Sequence, residues 1–150
     1  MLQIPQTIYD QIRRHGEVAY PHECCGVLLG QLNDVGEIVT HTVSQAVPVP
    51  NASTTPAHHY EIGSKDLIRV MREASAAGCE IVGFYHSHPD HQAQPSATDH
   101  AEAHWFGCFY VITSVIQGRA AATHAFLLWG KSEEDKAFAE EEMSIVRSPD

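Results

Sequence analysis

The sequence predicts an α/β (α+β) fold, a mixed β-sheet flanked by helices, and three observations carry that expectation. Apolar residues recur at helical spacing in two stretches; short β-branched or aromatic runs are bounded by glycine and proline; and the elements follow the order helix, strands, helix, strand, short helix, strands. At 150 residues the chain fits one domain, residues 1–150. A domain of this size buries about 68–70% of its unfolded surface. With 43% hydrophobic residues it can build a core without metal or disulfide staples, so a metal site would serve function rather than folding.

Ile4, Ile8 and Ile12 recur every four residues around Pro5 and predict an amphipathic helix ending near residues 15–16 or a turn later. Residues 25–30, an apolar run bounded by Gly30, read as a buried strand. A turn over residues 34–36 leads to a second strand over 37–47, where β-branched residues dominate. Pro48, Pro50 and Pro56 predict a loop, because proline lacks the ladder donor and fixes φ. Ser64 reads as the N-cap of a helix carrying Leu67, Ile68, Met71, Ala74 and Ala77, with Gly78 as its stop. Residues 81–86 form a buried strand that Pro89 ends, and residues 96–99 open a short helix through about Trp105. Residues 109–116 and 123–129 are two further strands with Gly118 in the turn between them. Residues 134–146 fit either type: the composition suits a helix, while Ala139, Glu141, Met143 and Ile145 alternate.

The charge balance, 9 Lys and Arg against 19 Asp and Glu, gives −10 and argues against a nucleic-acid surface, which needs a basic stripe to replace phosphate counterions. The N-terminus has no basic segment followed by an apolar run, and no stretch approaches the roughly 20 apolar residues of a membrane span, so the chain reads as soluble and cytoplasmic. Cys24, Cys25, Cys79 and Cys108 lack the spacing of a secreted disulfide scaffold or a Cys-x-x-Cys site, and reduced thiols are expected. Histidine is the unusual entry: its 11 copies outnumber all the basic residues together.

Two of them stand apart by position. Residues two apart on a strand share a face, so His86 and His88 project together from a strand end, where two imidazoles can bind a divalent metal. A bare His-x-His more often joins a core histidine to a surface one. Here, however, seven residues separate His88 from Ser96, and two more separate Ser96 from Asp99. A turn containing Pro89 and Pro95 can fold that helix start back beside the strand end and offer Asp99 as a third ligand. Two histidines and a carboxylate leave a fourth tetrahedral position open, as in a catalytic zinc site. The competing reading of Ser96-x-x-Asp99 is a capping box, which satisfies an orphan amide and favours the helix dipole.

The stretch His86-Ser87-His88-Pro89 through Pro95-Ser96-Ala97-Thr98-Asp99 resembles the His-x-His, seven residues, Ser, two residues, Asp signature of the JAMM (MPN+, Mov34-like) zinc metallopeptidase family. His22-Glu23-Cys24-Cys25-Gly26-Val27-Leu28-Leu29-Gly30 is similar to that family's glutamate-bearing segment, and the Asn51 region, Tyr60-Glu61-Ile62 and the helix from Ser64 resemble its compact prokaryotic members. The resemblance implies a JAMM/MPN-like, cytidine-deaminase-like sandwich. It also implies one Zn2+ held by His86, His88 and Asp99, with Glu23 as general base toward a zinc-bound water. Ser96 would donate to the developing oxyanion. Zinc brings the pKa of its water to about 7, which suits a neighbouring carboxylate base. On residues alone, Glu23 is an ordinary carboxylate beside a strand.

The implied reaction is hydrolysis of a peptide or isopeptide bond at the C-terminus of a ubiquitin-like or sulfur-carrier protein ending in Gly-Gly. Such a tail could add as a strand beside residues 47–62. The chain has little room for the long insertions of eukaryotic relatives, which favours a carrier-protein or small-adduct substrate. The alternative class is a non-catalytic MPN-type interaction module in a larger assembly, which the intact ligand set disfavours; the −10 charge disfavours a DNA-associated role. Zinc suits the ligands best, although iron or copper could occupy them. His100 and His104, four apart, fit a solvated helix face better than a second metal pair, and His58-His59 fits a surface pair. Cys24 and Cys25 fit small buried hydrophobes. His59-Tyr60-Glu61 has the His-x-Glu of zinc deaminases, but no Pro-Cys-x-x-Cys follows.

Overall fold

The computed structural model describes residues 1–147. Its elements are β1 (Leu2–Pro5), α1 (Gln6–Ala19), β2 (Cys25–Leu32), β3 (His41–Val49), α2 (Ser64–Ala76), β4 (Glu80–Pro89), α3 (Ala97–Glu102), β5 (Phe109–Ile116), β6 (Arg119–Trp129), β7 (Ala137–Glu141) and β8 (Met143–Val146). The strands form one mixed sheet in the order β7-β6-β5-β4-β2-β3-β1-β8. β4 pairs parallel with β5, and β1 parallel with β3 and β8; the other ladders are antiparallel. The expected mixed sheet with flanking helices is therefore the architecture.

The tail forms two strands. β7 and β8 lie on opposite edges of the sheet yet are separated in sequence by Glu142 alone, so one continuous segment ties the two edges together. The Leu2 N–H donates to the Glu142 carbonyl at 2.9 Å in the same seam. The sheet thereby curls around α1, which buries Ile8, Ile12 and Gly16 against a core of Leu2, Ile4, Leu28, Tyr85, Val111 and Leu127. Gly16 is there for proximity: a Cβ would stand 3.0 Å from Val115 Cγ2 and 3.3 Å from Ser87 Cβ. On the other face α2 buries Val70 and Ala74 in a second core with Val27, Leu29, Phe84, Tyr110 and Leu128.

Several boundaries differ from the sequence expectation, each for a local reason. Leu2 and Ile4 belong to β1, where they alternate buried with half-buried neighbours, and the helix begins only at Gln6. β3 starts at His41, because residues 33–40 are drawn into a hairpin tip in which Asp34 Oδ1 accepts the Thr40 N–H at 3.1 Å and Val35 bridges Ile38. β3 then runs through Pro48 to Val49. Its far side pairs with β1 only at His41 and Thr42, so the missing proline donor breaks no ladder. The α2 N-cap is Gly63 rather than Ser64, without a side-chain bond. α3 ends at Glu102, because Ala103 turns extended and Trp105 packs edge-on against Phe84 at 5.2 Å. β6 begins at Arg119, directly after a tight turn in which Gly118 takes φ +84°.

Candidate functional site

The site gathers where β4 ends beside the start of β2. Within β4, His86 pairs with Cys25 of β2 and Ile112 of β5, and His88 lies opposite Ser114. Ser87 points to the other face, where its Oγ accepts the Cys24 N–H at 2.8 Å while its own N–H donates to the Cys24 carbonyl at 3.3 Å. That stitch fixes the segment entering β2 against the end of β4. It sets Glu23, the residue before Cys24, beside the histidines. The Glu23 backbone is held too: its N–H donates to the Pro56 carbonyl at 2.7 Å, and its carbonyl accepts from Asn51 Nδ2 at 3.0 Å. Asn51 also donates to the His59 carbonyl and accepts from the Ser53 and Glu61 amides, so one amide side chain shapes the whole loop.

α3 brings the remaining groups. Asp99 Oδ2 lies 3.2 Å from His86 Nε2 and 3.0 Å from His88 Nε2, and the two Nε2 atoms are 3.2 Å apart. The capping box forms as well: the Ser96 N–H donates to Asp99 Oδ2 at 2.9 Å, and the Asp99 N–H to Ser96 Oγ at 3.0 Å. The two readings of Ser-x-x-Asp are thus one arrangement, because the oxygen that closes the cap is the oxygen that meets the histidines.

The spacing fits a metal ion. Bonds of about 2.0–2.1 Å to a tetrahedral zinc put neighbouring ligand atoms about 3.3 Å apart, and the three atoms here are 3.0–3.2 Å apart. His88 Nδ1 donates to the Gln92 carbonyl at 2.8 Å, which fixes the ring with Nε2 toward the cluster. The Tyr60 ring stacks on His86 with centroids 4.3 Å apart. Glu23 stands close to the pair: ligand atoms of Glu23, His86 and His88 lie within 4.8 Å of one another. The histidines therefore face two carboxylates, Asp99 in contact and Glu23 farther off.

The electrostatics separate those carboxylates. Burial pushes the Glu23 carboxyl up to about 7, with His88 opposing and Asp99 adding to the rise. Burial would raise Asp99 as well, but hydrogen bonds to His86 and His88 outweigh it and hold Asp99 well below the usual carboxylate range. Burial lowers His86. Glu23 Oε1 and His86 Nδ1 are buried without a hydrogen-bond partner among the described residues. Glu23, His88 and Ser96 line a cavity of about 710 Å³ together with His58, Asp90, His91, Gln92, Gln94, Ser114 and Ile116. All five residues singled out in the sequence, Glu23, His86, His88, Ser96 and Asp99, therefore meet at one place.

The other polar candidates have separate duties. His100 Nε2 hydrogen-bonds the Lys136 carbonyl and His104 Nδ1 the Glu133 carboxylate, so they do not form a metal pair. His59 bonds Glu102 and Ser53, while His58 lines the cavity. Burial pushes the Cys24 and Cys25 thiols up to about 11 and about 12, consistent with inert packing residues. Residue spacing gave no sign of the Tyr60 stack or the Gln92 carbonyl, because both contacts depend on how loops return to the strand end.

A mixed sheet that ends a strand in this His-x-His cluster, completed from the next helix, defines a JAB-type domain. The chain belongs to the family described as prokaryotic homologs of the JAB domain, which it matches over residues 5–129. It is 39% identical over 94 residues to a desampylase of Haloferax volcanii, covering 63% of this chain and 63% of that relative, less than two thirds of its length. It is 29% identical over 114 residues to a CysO-cysteine peptidase of Mycobacterium tuberculosis, covering 76% of this chain and 73% of that one. Among solved structures, a Salinibacter ruber protein superposes with a TM-score of 0.71 at 38% identity, covering 96% of this chain and 91% of that one. A JAB1/MPN domain protein of Archaeoglobus fulgidus shares the fold, with a TM-score of 0.56 at 18% identity over 96% of this chain and 98% of its own.

Proposed function

We propose that the protein is a zinc-dependent peptidase or isopeptidase that hydrolyses the amide bond at the C-terminus of a ubiquitin-like or sulfur-carrier protein ending in Gly-Gly. The observation that carries this reading is the triangle of His86 Nε2, His88 Nε2 and Asp99 Oδ2, 3.0–3.2 Å on each side, with a second buried carboxylate, Glu23, close by. The short sides of the triangle support Asp99, the nearer carboxylate, as the third zinc ligand, with Glu23 as the group that moves protons. When bound there, zinc supplies an activated water and polarises the scissile carbonyl.

Glu23 acts as general base and then as general acid. A carboxyl near 7 accepts a proton from water and returns it to the departing amine, which would otherwise leave as a very poor anion. Ser96 Oγ accepts from the Asp99 amide, which leaves its own proton free to donate to the carbonyl oxygen as charge builds there. The loop of residues 50–62 runs beside the cluster, with Asn51 bonded to the Glu23 carbonyl and Tyr60 stacked on His86, and would flank the substrate tail; glycines suit such a channel because they bring no side chain. The names of two relatives, a desampylase and a CysO-cysteine peptidase, support a small protein carrier as substrate. A cytoplasmic setting agrees with four free cysteines, three of them buried.

The test is zinc content measured together with hydrolysis of a carrier protein bearing a Gly-Gly-linked adduct. One zinc per chain and chelator-sensitive cleavage after the second glycine are expected. Metal-free protein whose activity a chelator does not change would overturn the proposal.

A further inference from the structure

We propose that Lys136 is a positioning residue that latches α3 in place and so sets the Asp99 carboxylate against the histidines; the role of Asp99 rests on the function proposed above. α3 has six residues, none of them fully buried and none part of either large apolar core. A helix so short has little stability of its own in water. Its first turn is closed by the Ser96–Asp99 capping box, but its last carbonyls have no partner within the helix.

Lys136 supplies that partner. Its side chain is 3% exposed, and its Nζ donates to the carbonyls of Ala101 at 3.1 Å and Ala103 at 3.0 Å and pairs with Glu133. Three donors meet three acceptors, so the buried ammonium is fully satisfied. A cation at a helix C-terminus also meets the negative end of the dipole. The Lys136 carbonyl takes a further bond, from His100 Nε2 at 3.0 Å, so one residue grips α3 at two levels.

The segment that presents Lys136 is itself braced. Asp135 Oδ1 accepts from the Lys131 and Ser132 amides and from Ser132 Oγ. Gly130, at φ +124°, lets the chain pass so close that a Cβ would lie 2.8 Å from Lys136 Cα. Lys136 lies beyond the family-matched residues 5–129, in the segment that joins β6 to β7. Asp99 is thus held from two directions: the cap fixes its turn, and Lys136 fixes the far end of the helix that carries it.

The experiment compares wild type, Lys136→Met and Lys136→Arg by amide exchange of metal-free protein and by zinc affinity against a chromophoric chelator. Methionine keeps the apolar stem and removes the donors; arginine keeps charge and donors. Lys136→Met should speed exchange in residues 97–102 while the sheet stays protected, and should weaken zinc binding by about 10- to 100-fold, as loss of a supporting partner does at metal sites. Lys136→Arg should restore both readouts toward wild type. Unchanged α3 exchange in Lys136→Met, faster exchange spread evenly over the sheet, or failure of arginine to restore either readout would overturn the latch. Wild type that binds no zinc, with α3 loosened in Lys136→Met, would instead overturn the metal reading and leave the latch standing.

Discussion

The two halves of the site are built in opposite ways. Glu23, His86 and His88 sit in or beside the central strands β2 and β4, all buried, with ladders on both sides. Asp99 sits on a six-residue helix, with Ser96 as its N-cap, that adds no residue to either large core and depends on the cap and Lys136. The difference teaches that the sheet places the imidazoles by its own cooperativity, whereas the carboxylate is placed by a few polar contacts. The first half resists perturbation as a whole; the second can be loosened one bond at a time.

The largest effect should come from the strand half. His88→Ala removes a ligand and should abolish both zinc retention and cleavage while the apo fold survives, as metal analysis and circular dichroism would show. If that variant cleaved as wild type does, the two halves would not form one site. In the helix half, Ser96→Ala should separate chemistry from stability. Losing an oxyanion donor typically costs about 10²–10³ in rate, whereas losing an N-cap costs about 1 kcal/mol. A kcat loss that far exceeds the stability loss supports the double role of Ser96; matched losses would reduce it to a cap.

Gly30→Ala tests how rigid the strand frame is without touching the site. Its Cβ would fall 1.7 Å from the Thr42 carbonyl oxygen, a backbone atom that cannot swing aside. The loss should be near the top of the usual overpacking range, about 3 kcal/mol, read from urea midpoints. The smallest effect concerns His15, whose Nδ1 lies 2.8 Å from the Tyr85 hydroxyl and whose pKa burial lowers from 6.5. Unfolded His15 binds a proton more readily than folded His15. Its contribution is therefore complete above 6.5 and lost as pH falls through the lower folded value. Urea midpoints of metal-free wild type should fall more steeply as pH drops from 6.5 to the lowered folded value than those of His15→Gln.

The same contrast governs what could be read from the sequence. His86 and His88 were legible because a strand has period two and Pro89 marks its end, and Ser96 and Asp99 were legible because a capping box has a fixed spacing. Glu23 was not legible from its surroundings, since its place depends on the Ser87–Cys24 stitch between distant strands. β1 was hidden because Ile4 continues the spacing of Ile8 and Ile12, so a strand residue looked helical. The tail was ambiguous because a segment paired on two different edges keeps neither a clean alternation nor a helical face. Lys136 left no pattern at all, since a lysine that caps a remote helix resembles any surface lysine.

The most direct measurement is the zinc content and turnover of Glu23→Gln. A general base contributes about 10²–10⁴ in rate. The variant should therefore keep one zinc per chain, since His86, His88 and Asp99 hold their triangle without Glu23, and should lose at least about a hundredfold in kcat. Glu23→Gln that cleaves like wild type, or that loses its zinc, would contradict the division of the two carboxylates on which the account rests.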